Sequence, residues 1–451
     1  MIKPSIPKGT RDFSPAEIAK RNYIMATIKN QFENFGFQPI ETPTFENSET
    51  LMGKYGEEGD RLIFKILNSG DYLDKIDGNE LAIINAKKLT PKISEKALRY
   101  DLTVPFARYV VQHQNEIEFP FRRYQIQPVW RADRPQKGRF REFYQCDADV
   151  VGSKSLWQEV EFVQLYDAVF FDLGLAGVTI KINNRKILSG IAEIIGASDK
   201  LIDFTVALDK LDKIGAEGVK NEMLEKGISE NALQIVQPLF ELMGTNDQKL
   251  EKLALLMSES EEGKKGIEEL QFICTAVSQL GLQTVTLEID VTLARGLNYY
   301  TGAIFEVAAP KTVAIGSIGG GGRYDDLTGI FGLKNMGGVG VSFGLDRIYL
   351  VLSELNLFPT TVSSSTKVLF LNTSQEQALS AMRIVQQLRK LNIKAELYPD
   401  NLKIDKQFKH AEKRGIEFIV KDYNDGVFTV KNLSSGALLT LSYTELITIL
   451  Q

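Results

Sequence analysis

The chain has 451 residues, of which 43% are hydrophobic and 25% charged, with a formal net charge of −5 at pH 7; this length predicts two or three domains of ordinary globular composition. No apolar stretch suggests a secretory signal or a bilayer span, so we expect no membrane association. The two cysteines and two histidines exclude a disulfide framework and a cysteine zinc site, argue against Ser–His or Cys–His nucleophilic catalysis, and suit a reducing cytoplasm.

The first predicted element is a helix. Ser14 stands at its N-cap, Pro15 at its first position and Glu17 at its third, which is a helix-start pattern. The apolar residues that follow have helical spacing up to about Phe35, and Gly36 is placed to end the helix. A strand with the sequence IETPTFE comes next.

A cluster of positive charge follows in the predicted hairpin. From Arg122 to Arg141 there are seven basic residues and one acid, Asp133. A charge run is usually a solvated face, but this one joins two aromatic, strand-like segments, FRRYQIQPVW and FREFYQCDADVV. A hairpin whose loop carries arginines would present these charges to phosphate groups.

The middle of the chain changes from strands to helices and back. An amphipathic helix is predicted over about 154–172, and VTIKINN indicates a strand. Residues 185–282 are charged and helical in period, which predicts a helical insertion between 1–184 and 283–358. Glycine-rich, strand-like sequence resumes at LEIDVTLARGLNYYTG and continues to GVGVSFGLDR.

The carboxyl-terminal part is predicted to be a separate small domain. Residues 359–366, PTTVSSST, are the best linker candidate. Over 367–451 the order KVLFLNT, helix, KAELYP, helix, FIVKD indicates a β-α-β-α-β arrangement. This part carries twelve basic and nine acidic residues, an excess of positive charge that favours RNA contact.

Several motifs together resemble one family. KGTRDFSP, WRAD…RFREFYQCDADVVG, ARGLNYYTG, GGGGRYDDL and GVSFGLDR are similar, in this order, to segments of the histidyl-tRNA synthetases. The resemblance implies an α+β fold, with a class II antiparallel sheet flanked by helices, a helical insertion and a C-terminal α/β anticodon-binding-like domain. It also implies activation of L-histidine with ATP and Mg²⁺, transfer to tRNA(His), and a homodimer whose interface includes the first helix. No tightly bound, protein-ligated metal is expected.

The resemblance assigns three arginines to catalysis. Adenylation brings a carboxylate to the α-phosphate of ATP, so fixed positive charge is the main requirement. Arg131 corresponds to the arginine that clamps the α-phosphate and the amino-acid carboxylate, and Arg295 to one on the opposite side. Arg347 corresponds to the arginine that holds the γ-phosphate. Asp133 and Arg141 complete the predicted ATP site.

A second set of residues is predicted to bind histidine, whose imidazole needs a donor and an acceptor at fixed positions. Asp149 and Tyr300 match positions that meet the ring, with Tyr299 beside them. Because neighbours in a strand face opposite ways, at least one of the two tyrosines is open to a packing role. The groups predicted around the amino and carboxylate ends are Asp101, Thr103 and Gln145.

Two further predictions concern the glycines and the hairpin loop. Gly319, Gly320, Gly321 and Gly322 have no GK[ST] and are not a Walker loop; a tight strand junction is one reading, and close backbone approach to the ligand is favoured. Four loop residues correspond to positions that approach the tRNA acceptor end or its phosphates: Arg134, Gln136, Lys137 and Arg139.

Two other functions stay open at this stage. One is a non-catalytic regulatory subunit of ATP phosphoribosyltransferase, which ordinarily lacks the C-terminal domain. The other is a tRNA-sensing module, which is ordinarily fused to a kinase and has lost its catalytic residues. This chain retains the domain and the motifs, and no kinase sequence is present.

Overall fold

A computed structural model describes residues 3–77, 85–240, 242–294, 299–362, 366–424 and 426–451. The chain divides into two compact units, residues 1–14 with 20–359 and residues 15–19 with 360–451. Among the described helices, none has both the length and the apolar composition needed to cross a membrane.

The described helices up to residue 359 are α1 (Pro15–Asn34), α2 (Ser48–Leu51), α3 (Gly56–Leu62), α4 (Ala86–Ile93), α5 (Thr103–Gln112), α6 (Trp157–Asp172), α7 (Arg185–Ile194), α8 (Leu201–Leu208), α9 (Leu211–Glu225, broken at Gly215), α10 (Glu230–Phe240), α11 (Asn246–Leu256), α12 (Glu261–Leu280) and α13 (Leu345–Glu354). The strands are β1 (Gln38–Pro39), β2 (Phe45–Asn47), β3 (Lys65–Ile66), β4 (Lys96–Leu98), β5 (Phe121–Trp130), β6 (Glu142–Val151), β7 (Val178–Asn184), β8 (Val285–Ile289), β9 (Ala303–Ala308), β10 (Gly319–Arg323) and β11 (Gly338–Gly344).

The first unit is built on an eight-stranded sheet with the order β1-β5-β6-β11-β10-β9-β7-β8. Its pairs are antiparallel except at the two edges, where β1 with β5 and β7 with β8 run parallel. A separate small sheet with the order β2-β4-β3 is formed by the part of the chain between β1 and β5. The predicted antiparallel sheet with flanking helices is therefore confirmed, as is the predicted hairpin, because β5 pairs with β6 from Phe121–Val151 to Trp130–Glu142.

Side-chain alternation separates a buried apolar face of this sheet from a polar face. In β6 the side chains of Cys146, Ala148 and Val150 join the core that α1 and α6 cover. The predicted first helix is confirmed as Pro15–Asn34, and Gly36 after it has a φ of 78°, a left-handed conformation that glycine adopts without strain.

The stretch 185–282 is helical, as its periodicity predicts. Its helices α7 to α12 bury apolar residues such as Phe204 and Ile273 in the same hydrophobic core as the sheet. Cys146 and Cys274 are both buried and unpaired.

The second unit contains a five-stranded sheet with the order β13-β12-β14-β15-β16. Its elements are β12 (Val368–Phe370), α14 (Gln375–Lys390), β13 (Ala395–Leu397), α15 (Ile404–Arg414), β14 (Phe418–Asn424), β15 (Val427–Asn432), β16 (Leu438–Ser442) and α16 (Tyr443–Leu450). The predicted β-α-β-α-β order is confirmed, with β12 parallel to both β13 and β14. The strands β15 and β16 and the helix α16 have no counterpart among the predicted elements.

Candidate active site

A cavity of about 360 Å³ opens on the polar face of the large sheet, next to β6, β10 and β11. It brings together side chains from distant parts of the chain that the sequence assigns to ATP and histidine. The predicted residues that line it are Asp101, Thr103, Arg131, Asp133, Arg139, Gln145, Asp149, Tyr299, Tyr300, Gly319, Gly320, Gly321 and Arg347.

Arg131 follows β5 directly and reaches one end of the cavity. Its Nε donates to the carbonyl of Tyr100 at 3.0 Å, and its guanidinium carbon lies 4.3 Å from the Tyr100 ring centre and 5.2 Å from that of Phe143. No carboxylate among the described residues lies within ion-pair distance of it. Backbone and aromatic contacts therefore orient Arg131 without neutralising its charge.

Arg347 lies in the first turn of α13 at the same end of the cavity. Its Nε donates to the carbonyl of Gly138 at 3.0 Å, and a terminal nitrogen donates to the carbonyl of Ser317. It thus connects the β5–β6 loop to the segment that precedes β10.

The amino-terminal segment braces this end of the cavity, a role that the sequence analysis missed. Arg11 and Arg21 both form ion pairs with Asp346, which lines the cavity beside Arg347. The Arg11 guanidinium also lies 3.4 Å from the ring centre of Phe140, another lining residue. Because a guanidinium stacks well on an aromatic ring, Arg11 holds the β5–β6 loop against α13.

Arg141 does not line the cavity. Its backbone N–H donates to the carbonyl of Gly9 at 2.8 Å, and its guanidinium donates to the carbonyls of Asp133 at 3.2 Å and Lys8 at 3.3 Å. The side chain thus anchors the amino-terminal segment, and its predicted contact with ATP stays untested.

The other end of the cavity is built around carboxylates. Asp101 is buried, and its Oδ1 accepts from the Tyr55 hydroxyl at 2.8 Å and from the Val104 N–H at 3.2 Å. Its Oδ2 accepts from the Tyr299 hydroxyl at 3.3 Å. Burial raises the pKa of Asp101, while these donors and Arg131 act to lower it.

Both carboxylate oxygens of Asp149 also contact protein donors. Its Oδ1 accepts from the Tyr324 hydroxyl at 2.5 Å, and its Oδ2 lies 2.7 Å from a terminal nitrogen of the buried Arg123. Burial raises the pKa of Asp149, and the Arg123 guanidinium opposes the rise. A Cβ on Gly340 would stand 1.9 Å from Oδ1, so the carboxylate can occupy this position only opposite a glycine.

Tyr299 and Tyr300 both line the cavity. Tyr299 lies in a turn and Tyr300 in the irregular segment before β9, so neither belongs to a strand. The strand alternation that left one of them open to a packing role therefore does not apply. Their ring centres are 5.0 Å apart in an edge-on arrangement. Burial is the first cause that raises the pKa of each phenol, and both therefore remain hydroxyls that can donate hydrogen bonds at neutral pH.

The glycine run forms β10, in the middle of the sheet. A Cβ on Gly321 would lie 2.2 Å from the carbonyl oxygen of Gly340, and one on Gly322 would lie 2.7 Å from that of Ala303. Packing against the neighbouring strands therefore requires glycine at these two positions, in agreement with the strand-junction reading. For Gly319 and Gly320 the nearest atoms would be 3.0 Å away, and close approach to a ligand stays a prediction.

The predicted tRNA-facing residues lie on the β5–β6 loop. Arg134, Gln136, Lys137 and Arg139 are exposed, and Gln136 and Arg139 are joined by paired backbone hydrogen bonds. Arg139 also lines the cavity, whereas Lys137 forms an exposed ion pair with Glu354 at 3.2 Å. Arg295 falls outside the described residues.

Several lining residues were missed by the sequence analysis: Asp147, Glu306, Tyr324, Ser342 and Asp346. For Asp147 a signal was available. It lies between Gln145 and Asp149 in β6, and the period of two in a strand places all three on one face.

Comparison with known proteins gives one consistent result. Residues 9–348 match the family model described as histidyl-tRNA synthetase, and residues 367–451 match that of an anticodon binding domain. Proteins named histidine–tRNA ligase from Christiangramia forsetii and Flavobacterium johnsoniae are each 70% identical to this chain, with 98% of both chains covered. The crystal structure of histidyl-tRNA synthetase from Nostoc sp. PCC 7120 superposes with a TM-score of 0.83 at 31% identity, covering 100% of this chain and 99% of that one.

Proposed function

The chain belongs to the histidyl-tRNA synthetase family, and from that premise we propose that it activates L-histidine with ATP and transfers it to the 3′ end of tRNA(His). The first step gives histidyl-adenylate and pyrophosphate. The second esterifies the tRNA. The observation that carries the proposal is the division of one cavity into an arginine end and a carboxylate-tyrosine end.

The arginine end suits the phosphates of ATP. Arg131 has no carboxylate partner among the described residues, so an anion is its natural counter-charge. We propose that it clamps the α-phosphate and the histidine carboxylate while Arg347 contacts the γ-phosphate. Arg295 is proposed to approach the α-phosphate from the opposite side. Charges fixed before the reaction stabilise the developing negative charge without reorganisation.

The carboxylate-tyrosine end suits a small polar amino acid. Asp149 can accept from a ring N–H, and the hydroxyl of Tyr300 can donate to the other ring nitrogen, which is the pair of contacts that distinguishes imidazole from an apolar ring. Asp101, Thr103, Gln145 and Tyr299 would surround the α-amino and carboxylate groups.

Mg²⁺ would enter with ATP as substrate. Among the described residues no three histidine, cysteine, aspartate or glutamate side chains form a cluster that could hold a metal. The ion would be held mainly by phosphate oxygens and water, as Mg²⁺ commonly is when it accompanies nucleotides. Its contribution would be to neutralise the β- and γ-phosphate charges.

Contacts with tRNA are proposed for two parts of the chain. The exposed loop residues Arg134, Gln136, Lys137 and Arg139 would meet the acceptor end, and the basic domain of residues 367–451 would bind the anticodon region. We also propose the division into a catalytic domain (1–184 and 283–358), an insertion (185–282), a linker (359–366) and the C-terminal domain, together with a cytoplasmic homodimer.

A regulatory role without catalysis is the competing hypothesis. A protein titled ATP phosphoribosyltransferase regulatory subunit/histidyl-tRNA synthetase, from Bacillus halodurans C, superposes with a TM-score of 0.71 but only 20% identity. At that identity the likeness shows the fold alone. The match of residues 367–451 to an anticodon binding domain and the 70% identity to the ligases favour the enzyme.

The test is ATP–pyrophosphate exchange measured with each of the twenty amino acids in turn. Exchange that depends on histidine alone is the expected result. Exchange with another amino acid would contradict the proposed specificity. Absence of exchange with all of them, from a protein that melts cooperatively, would favour the regulatory or sensing function.

A further inference from the structure

An aspartate with no assigned role, Asp147, lies in the middle of the polar face of β6. Gln145, Asp147 and Asp149 all line the cavity, and Asp147 is only 3% exposed. Across the sheet it pairs with Gln125 of β5 on one side and Ser342 of β11 on the other. Asp147 therefore sits at the centre of the carboxylate-tyrosine end.

The carboxyl group of Asp147 differs from those of its neighbours because one of its oxygens is unpartnered. Both oxygens of Asp101 and both of Asp149 contact protein donors. The Oδ1 atom of Asp147 is buried and has no hydrogen-bonding partner among the residues that the structure describes. A buried acceptor without a partner is unfavourable, so this oxygen points to a donor supplied by a ligand.

The local charge favours a cationic donor. Asp101, Asp147 and Asp149 are three carboxyl groups, whereas the buried guanidinium beside them, Arg123, is already paired with Asp149. Above a pH of about 6.5 the imidazole of histidine is neutral, but its α-ammonium remains positive. An ammonium also has three N–H donors, which suits a site with several acceptors.

We propose that Asp147 is a further substrate-binding residue whose unpartnered Oδ1 accepts a hydrogen bond from the α-ammonium group of histidine. This rests on the proposed function and deepens it. Asp149 and Tyr300 would then meet the imidazole, while Asp147, between Gln145 and Asp149, neutralises the amino end. A ligand with an imidazole but no ammonium would lack this contact.

The contact makes histidine binding depend on pH. Burial raises the pKa of Asp147 to about 7, the Asp149 and Asp101 charges add to the rise, and Arg123 and the Ser342 hydroxyl oppose it. The phenols that its charge affects from the neighbouring elements are Tyr166 and Tyr300, which stay neutral here. Asp147 is thus partly protonated in the empty cavity at neutral pH, and a bound ammonium favours the carboxylate, so binding releases protons.

The test is calorimetric titration of L-histidine into the full-length protein, wild type and Asp147→Asn, from about pH 5.5 to about pH 8.5. In buffers of different ionisation heat, the wild type should release a fraction of a proton near pH 7. Asp147→Asn should bind about 10- to 100-fold more weakly at high pH and lose that release. Asp172→Asn, an exposed aspartate outside the cavity lining, is the matched control. The histidine ring itself titrates in this pH range, but it contributes equally to the proton release measured with every variant.

A second ligand identifies the group that Asp147 contacts. Imidazolepropionate, which is histidine without its amino group, should bind wild type and Asp147→Asn equally. An equal loss for both ligands would place Asp147 on the ring and overturn the proposal, as would unchanged histidine affinity in Asp147→Asn. Asp147→Ser, scored per folded molecule from melting curves, gives the same comparison should the asparagine variant fold poorly.

A failure of this proposal can be told apart from a failure of the proposed function. If the wild type catalyses histidine-dependent pyrophosphate exchange but Asp147→Asn keeps its KM for histidine, only the role of Asp147 is wrong. If the wild type shows no exchange, the proposed function itself fails. A selective rise in KM for histidine, with kcat little changed, supports both.

Discussion

The functional side chains at the two ends of the cavity are oriented by different kinds of contact. At the arginine end, backbone carbonyls and aromatic rings orient Arg131 and Arg347. At the carboxylate-tyrosine end, side-chain donors meet Asp101 and Asp149 directly, and Arg123 carries a full counter-charge. Arg131 thus keeps its charge without a carboxylate partner among the described residues, whereas Asp101 and Asp149 already contact protein donors. We therefore expect ATP to bind at the first end and histidine at the second. Substitutions at the arginine end should therefore change mainly kcat. Substitutions at the carboxylate-tyrosine end should change mainly the KM for histidine and the stability of the fold.

The largest effect is expected from Arg295→Ala, at a position assigned from the sequence and outside the described residues. Losing a fixed charge at the α-phosphate should lower kcat for pyrophosphate exchange by at least about 10²–10³, because this contact strengthens as charge develops. Arg295→Lys should restore activity only in part. The measurements are single-turnover adenylation and a melting curve on the same preparation. A lower melting temperature with near-normal kcat per folded molecule would instead indicate a structural ion pair.

The next effect should come from Arg123→Met, which leaves Asp149 buried without its counter-charge. Breaking such a pair costs about 3–5 kcal/mol of folding free energy, measurable by urea unfolding. The loss should shrink as the pH falls, because protonation of Asp149, whose pKa would rise further without Arg123, removes the unpaired charge. Arg123→Met combined with Asp149→Asn is the control and should recover stability without recovering histidine affinity. Additive losses in the double variant would contradict a direct pair.

A smaller effect is expected from Asp149→Ala. Leaving a ring nitrogen without its partner costs about 1–3 kcal/mol, or roughly tenfold to hundredfold in the KM for histidine. The KM for ATP should change much less, because ATP would occupy the arginine end. Steady-state exchange with each substrate varied in turn measures both constants. Equal rises in the two KM values would mean that the two ends are not independent.

The smallest effect on pyrophosphate exchange, which depends on both ends of the cavity, is expected for a chain that stops at Pro359. Histidine-dependent exchange should persist, while tRNA charging should lose efficiency in a salt-dependent manner, because the missing basic domain would contact phosphates. The measurement is pyrophosphate exchange and tRNA charging by the shortened and the full-length chain, each at two salt concentrations. Normal charging kinetics at physiological salt would contradict the proposed role of the domain, and loss of exchange would show that the domain supports the catalytic unit.

Residues whose role depends on local pattern were predictable from the sequence. The β5–β6 hairpin has aromatic strands of period two, and α1 has a start signal and a glycine after its end. Asp147 was equally accessible, because it alternates with Gln145 and Asp149. The family resemblance assigns roles to Gln145 and Asp149 on either side of it but none to Asp147.

Contacts between distant parts of the chain were not predictable. Arg123 looked like one member of a charge run, yet it is fully buried against Asp149. Tyr324 follows a glycine-rich strand, and its hydroxyl meets a carboxylate 175 positions earlier. In the second unit, six of the eleven residues of β15 and β16 are Val, Phe or Leu, so a strand signal was present. The pairing of β15 with β14 joins segments whose register the sequence pattern does not specify.

The ion pair of Arg11 with Asp346 joins residues that are 335 positions apart in the chain. During synthesis the amino-terminal segment leaves the ribosome long before its partner does, and contacts of such separation form late. The nascent chain can assemble α1 and the β5–β6 hairpin early, and residues 8–13 can contact the hairpin loop through Gly9 and Phe140. The ion pairs with Asp346 can form only after α13 has emerged. The arginine end of the cavity is therefore completed only after Asp346 has been synthesised. An incomplete chain would expose arginines without forming a working site.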